Sequence, residues 1–215
     1  MGSARFMAMA ILGVSVCANA QVRTINVSIG QAETLNSLSA NAFDAELKRL
    51  LSPAGIELSS GSESKNADSR PIVGVFKGGC SAETLRLSRA ASVPSSVLAE
   101  APILNDQILP FFKVDCGRIV RILEPALRSL SLQFRQQLFG RAVARVVAHE
   151  IYHILAQTAD HDISGVARPQ LSFENLVASQ FDLSPSSLTR IRASSLENIP
   201  LDSSVHPAAL EWMQR

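Results

Sequence analysis

Three of the four histidines in this chain fall within fourteen residues, AHEIYHILAQTADH, spanning 148–161. On a helix, His149 and His153 project from one face a turn apart and can reach a single ion. Glu150 follows the first of them and points about 100° around the axis, where it can hold a water at the ion without ligating it. This is an HExxH arrangement, and its chemistry is zinc-assisted hydrolysis with a carboxylate as general base.

Two histidines do not complete a catalytic zinc site, which usually takes three protein ligands and keeps a fourth position open. His161 lies eight residues after His153. Were the helix to continue, it would stand about 12 Å further along the axis, so it serves only if the chain turns. Gln157-Thr158-Ala159-Asp160 offers residues at which the helix can end. Glu174, within the helical-looking segment 173–177, is the rival third ligand, and Asp160 and Asp162 are also near in sequence. As an alternative to ligation, Glu174 suits the first turn of a helix after Ser172. Tyr152 shares a side with Arg141 and Arg145, where it either reaches an oxyanion or packs at the helix surface.

These residues need a scaffold. Apolar positions at Phe139, Val143, Val146, Val147, Ile151 and Ile154 form one stripe of a long helix from Ser131 to about Thr158. Upstream, 22–29 (VRTINVSI) alternates as a half-buried strand, and the spacing from Leu38 to Leu51 is helical. Ser52-Pro53-Ala54-Gly55 stops that helix before a short strand at 56–58. Residues 72–76 (IVGVF) read as a central strand buried on both faces. Residues 59–70 read as a solvated loop, and 84–106 as a helix with a surface excursion. Residues 108–114 (ILPFFKV) read as a strand whose Pro110 favours an edge position, followed by a helical segment.

The chain has 215 residues, 47% hydrophobic and 18% charged, with a formal net charge of +1. That composition fits one domain with a substantial core, and without a basic stripe nucleic acid is not an expected partner. Residues 1–20 have one Arg, an apolar run and a terminal Ala-Asn-Ala, the pattern of a signal peptide cleaved before Gln21. The apolar run is too short to span a bilayer, so no stable membrane insertion is expected after cleavage. Secretion or a periplasmic location follows, and with it a structural disulfide between the two remaining cysteines, Cys80 and Cys116. The expected organisation is a signal peptide at 1–20, one catalytic domain at 21–200 and a tail at 201–215, in which His206 beside Pro207 is a surface residue.

The run GRAVARVVAHEIYHILAQTADHDISGVARPQLSFENL, with FDLSPSSLTRIR after it, resembles secreted bacterial metzincin-like zinc metallopeptidases. AGIEL, VFKGGC and LPFFKVDC are also similar. The resemblance implies an α+β fold, a mixed sheet packed on a long active-site helix, and a small C-terminal subdomain. It implies one catalytic Zn2+ held by His149, His153 and His161, Glu150 as general base, and a peptide or protein substrate. Metzincins proper have Gly and His where this chain has Ala156 and Ala159, and a Met in the turn where Ser164-Gly165-Val166-Ala167 has none. Those departures motivate an alternative, a catalytically inactive zinc-binding interaction protein of the same fold. A metal-free binding domain is the third possibility. Substrate specificity and oligomeric state leave no mark in the sequence.

Overall fold

The computed structural model describes residues 23–30, 35–59, 70–80, 97–194 and Trp212. The expected signal peptide, the 59–70 loop apart from its ends, the 81–96 stretch and the expected tail apart from Trp212 lie outside the described residues.

The first unit is strand, helix, strand. Strand β1 (Arg23–Gly30) leads to helix α1 (Ser37–Leu51), whose N-cap Asn36 accepts the Ser39 amide at 2.9 Å. That side chain satisfies one of the donors that every helix N-terminus leaves open. Phe43, Leu47, Leu50 and Leu51 are the buried face of α1. A single 3-10 turn over Ser52–Ala54 ends it, with Gly55 in the left-handed region at φ 74°. Strand β2 (Ile56–Ser59) then pairs parallel with β1.

Strand β3 (Arg70–Lys77) lies on the other side of β1, also parallel. It is central, as its apolar run predicts, but it is not buried equally on both faces. Ile72 and Phe76 enter the helix-covered core, whereas Val73 and Val75, pointing the other way, are half-buried. Gly74 makes room for Phe112, whose ring lies 2.3 Å from where a Cβ would stand.

Three short strands follow, β4 (Ala99–Glu100), β5 (Ile103–Leu104) and β6 (Gln107–Ile108), before β7 (Phe111–Asp115). Asn105 and Asp106, at φ 50° and 62°, make the two-residue turn of the β5–β6 hairpin. The main sheet has the order β2-β1-β3-β7-β4, parallel except for β4, which runs antiparallel to β7 at the edge. Two sequence expectations are corrected here. Ile108 belongs to β6, not to the strand containing Phe112, and that strand is interior, between β3 and β4. Pro110 is accommodated because it precedes the ladder and contributes only its carbonyl, which accepts the Val73 amide at 2.9 Å.

Helix α2 (Cys116–Leu127) is tied to the end of β3 by the Cys80–Cys116 disulfide across 36 positions, with both cysteines buried. Helix α3 (Leu132–Ala156) runs through the core, and Gly140 lets it close on α1: a Cβ there would lie 2.1 Å from the Ser39 carbonyl oxygen. The short α4 (Phe173–Val177) and α5 (Pro185–Ala193) pack back against α3. Arg145 joins these parts from a fully buried position. Its guanidinium donates to Glu46 of α1 at 2.8 Å and to the carbonyls of Asn175, Leu176 and Ala178 at 2.7, 3.1 and 2.9 Å. Burial pushes the Glu46 carboxyl up, but hydrogen bonds from Arg49 and Arg145 outweigh it and hold the group below its ordinary range. The fold is thus mixed α and β, with a mostly parallel sheet backed by long helices.

Candidate metal centre

His149 and His153 emerge at the C-terminal end of α3, and the helix stops one residue before Gln157. Gln157 adopts the left-handed conformation at φ 46°, a position that usually calls for Gly or Asn. Its side chain supports the turn. The amide oxygen accepts the Ile108 N–H at 3.1 Å, and the amide nitrogen donates to the Ile108 and Ile154 carbonyls at 2.9 and 2.8 Å. One glutamine therefore pairs with β6 much as another strand would. The chain reverses, and His161 returns beside its two predecessors, with ring centroids 5.1 Å from His149 and 4.8 Å from His153.

The three histidines place one ligand nitrogen each within 4.8 Å of one another. Nε2 of His149 and Nε2 of His153 stand 3.1 Å apart. Two imidazole nitrogens on a tetrahedral zinc stand about 3.3 Å apart, given Zn–N bonds near 2.05 Å. The other ring nitrogens decide what this closeness means. His149 Nδ1 lies 2.9 Å from the Val166 carbonyl, and His153 Nδ1 lies 2.7 Å from the Thr158 carbonyl. A carbonyl only accepts, so each Nδ1 carries the proton, and in the neutral rings both Nε2 atoms present bare lone pairs to each other. That contact is repulsive unless a cation stands against both. A proton is a poor candidate, because burial pushes His149 down to about 4 and lowers His153 as well. The set could hold a metal ion.

The Val166 carbonyl is held in place by the loop after His161. The Val166 amide donates to the Asp182 carbonyl at 2.9 Å, and Asp162 N–H to the Ala167 carbonyl at 2.8 Å. Gly165, at φ 71°, would bring a Cβ within 2.5 Å of the Asp182 oxygen. The Asp162 carboxylate accepts hydroxyls from Ser184, Ser186 and Ser187 at the start of α5, which hold it well below the usual carboxylate range. Asp162 is thus an anchor for the loop, not a member of the histidine cluster. Val166 and Ala167 are fully buried.

Glu174 is also outside the cluster. It is exposed in the first turn of α4, and the Ser172 hydroxyl holds its carboxyl low. Tyr152 is not at the surface, and its ring packs beside that of His153, with centroids 5.2 Å apart. It is fully buried, its hydroxyl accepting from Arg190 at 2.9 Å and donating to the Asp160 carbonyl at 3.3 Å. Its expected neighbour Arg145 is taken up by Glu46 and the α4 carbonyls.

Glu150 stands beside the histidines in a cleft of about 320 Å³. Burial, reinforced by the nearby Glu100 charge, pushes its carboxyl up to about 8. One wall of the cleft is edge strand β4, another is the hairpin residues Ile103 and Ile108, and the opposite side is Pro169 to Leu171. The three histidines and Glu150 stand out in the sequence, whereas the parts played by Gln157, the Val166 carbonyl and Glu100 do not. Gln157 lay within a stretch read only as able to end the helix, and its partner Ile108 is 49 positions away.

Compared with known protein families, with curated proteins and with solved structures, the chain shows no match. No helix among the described residues is long and apolar enough to cross a membrane.

Proposed function

We propose that this protein is a secreted zinc metallopeptidase. The observation that carries the reading is the pair of oriented histidines, with His161 beside them and a buried carboxylate one residue from the first ligand. Three imidazole nitrogens favour zinc over the oxygen-seeking ions, and zinc at such a site acidifies a water and polarises a substrate carbonyl.

The chain's own residues supply the rest. Glu150 takes the proton from the attacking water and delivers it to the departing amine. The carbonyls of Val166 and Thr158 keep the two helix histidines in the ligating tautomer throughout. The edge of β4, unpaired among the described residues, offers backbone groups to an extended peptide, which can join the sheet as a further strand across the cleft. The apolar walls exclude water from the proton transfer. The buried disulfide and the signal-like N-terminus support an oxidising, extracellular or periplasmic setting.

The test is metal analysis of the purified mature protein together with cleavage of a broad peptide library by the unmodified protein and by Glu150→Gln. One equivalent of zinc in both, with cleavage only by the unmodified protein, is the expected outcome. Zinc retained without cleavage by either would select the inactive zinc-binding protein instead. Absence of zinc from protein refolded with excess ion, with His149→Ala leaving stability unchanged, would select a metal-free domain.

A further inference from the structure

The walls of the cleft carry information about the substrate beyond the reaction. Apart from the three histidines and Glu150, its lining is apolar except for Glu100 and Gln170. Glu100 is therefore the one charge offered to a substrate away from the reacting groups. It stands on β4, whose outer edge has no neighbour in the sheet among the described residues, and its side chain is 54% exposed. Its nearest cation is only loosely engaged. Lys113, directly opposite in the β4–β7 register, holds its nitrogen 3.8 Å from the Glu100 carboxylate. That ammonium is committed elsewhere, donating to the Trp212 carbonyl at 2.8 Å and lying 4.1 Å from the centre of the Trp212 ring.

A strand added to the edge of β4 sets one of its residues directly across from Glu100, with Cβ atoms about 5 Å apart, and opposite charges at such cross-strand positions attract. Its other side chains meet Ile103, Ile108 and Leu171, where a charge would lose hydration without a partner. We propose that Glu100 is a specificity-determining residue that selects peptides carrying a Lys or Arg opposite it, flanked by apolar residues. This rests on the peptidase reading and goes beyond it, because neither zinc ligation nor the general base requires any residue at position 100.

The experiment compares zinc-loaded wild type, Glu100→Gln and Glu100→Lys on peptides identical except for one Lys, Gln or Glu moved along the positions around the cleaved bond. In the wild type, Lys at one position is expected to raise kcat/KM about three- to five-fold over Gln, chiefly through KM, the size of a partly screened cross-strand pair. Glu100→Gln should abolish that preference and Glu100→Lys should turn it toward Glu. Zinc content and thermal melts of each variant report whether it folds, and the Gln variant decides alone should the Lys variant not fold. Cleavage without any preference for Lys, or a preference that survives Glu100→Gln, would overturn the proposal and leave the peptidase reading standing. Failure of the wild type to cut any peptide would remove both together.

Discussion

At the scale of single residues, the metal centre combines groups with conflicting needs. Glu150 has its folded pKa raised to about 8 from an ordinary 4.5, so in the metal-free protein its contribution to stability is complete below about pH 4.5 and is lost as pH rises through 8. His149 has its folded pKa depressed to about 4 from 6.5, so its contribution is complete above about pH 6.5 and is lost as pH falls through 4. No pH suits both groups without a cation. Metal-free Glu150→Gln should therefore be more stable than the metal-free wild type, by an amount growing from pH 5 to pH 8 and reaching on the order of 2 kcal/mol, as read from chemical denaturation with chelator. In the zinc-loaded protein the same substitution should lower kcat by roughly 10²- to 10⁴-fold, the usual contribution of a positioned general base. A variant that lost activity without gaining metal-free stability would contradict the burial described for Glu150. His161→Ala should lose zinc, whereas Glu174→Ala should keep it, as measured by metal content after dialysis.

At the scale of elements, the end of α3 governs the site. Gln157→Ala keeps a left-handed residue that is not glycine and removes three side-chain hydrogen bonds, so it should weaken zinc binding more than Gln157→Gly, which relieves the backbone while losing the same bonds. Competition against a chromogenic chelator would rank the two, and equal affinities would show that the backbone carries no cost there. This turn also marks the limit of what the sequence disclosed. The helices α1 and α3, the strands β1, β2 and β3, the disulfide and the HExxH residues were legible, because each rests on local periodicity, a local motif or a count of cysteines. Strands of two residues, such as β4, β5 and β6, are too short to leave an alternating pattern, and their pairing is fixed by distant partners. Pro110 was read as an edge signal because the start of β7 could not be placed to the residue. The place of Tyr152, at an oxyanion or packed at the helix surface, stays open in the sequence because its partner Arg190 lies 38 positions away. The return of His161 to its two predecessors stays open in the sequence for the same reason: a glutamine in a left-handed turn is recognisable only once Ile108 is beside it.

At the scale of the whole molecule, two cross-links hold the parts together. The disulfide restrains the unfolded chain across 36 positions, and the Cys80→Ser/Cys116→Ser pair should cost about 4 kcal/mol in the chain-entropy model. Thermal melts with and without reductant would measure it, and no change in the wild type on full reduction would contradict a stabilising role. Arg145 performs the corresponding task by hydrogen bonding, and Arg145→Met would leave Glu46 and three α4 carbonyls without their shared donor. The loss should reach about 3 kcal/mol although Glu46 keeps its two hydrogen bonds from Arg49, and a double-mutant cycle with Glu46→Gln would measure how much of it belongs to the Arg145–Glu46 pair.

The glutamine bridge from the end of α3 to Ile108 also has a mechanical consequence. The β5–β6 hairpin lines the cleft and is joined through Gln157 to the turn that returns His161. One side chain thus ties a wall of the cleft to one corner of the histidine cluster. If His161 holds an ion as proposed, a displacement of the hairpin would strain the turn that carries it.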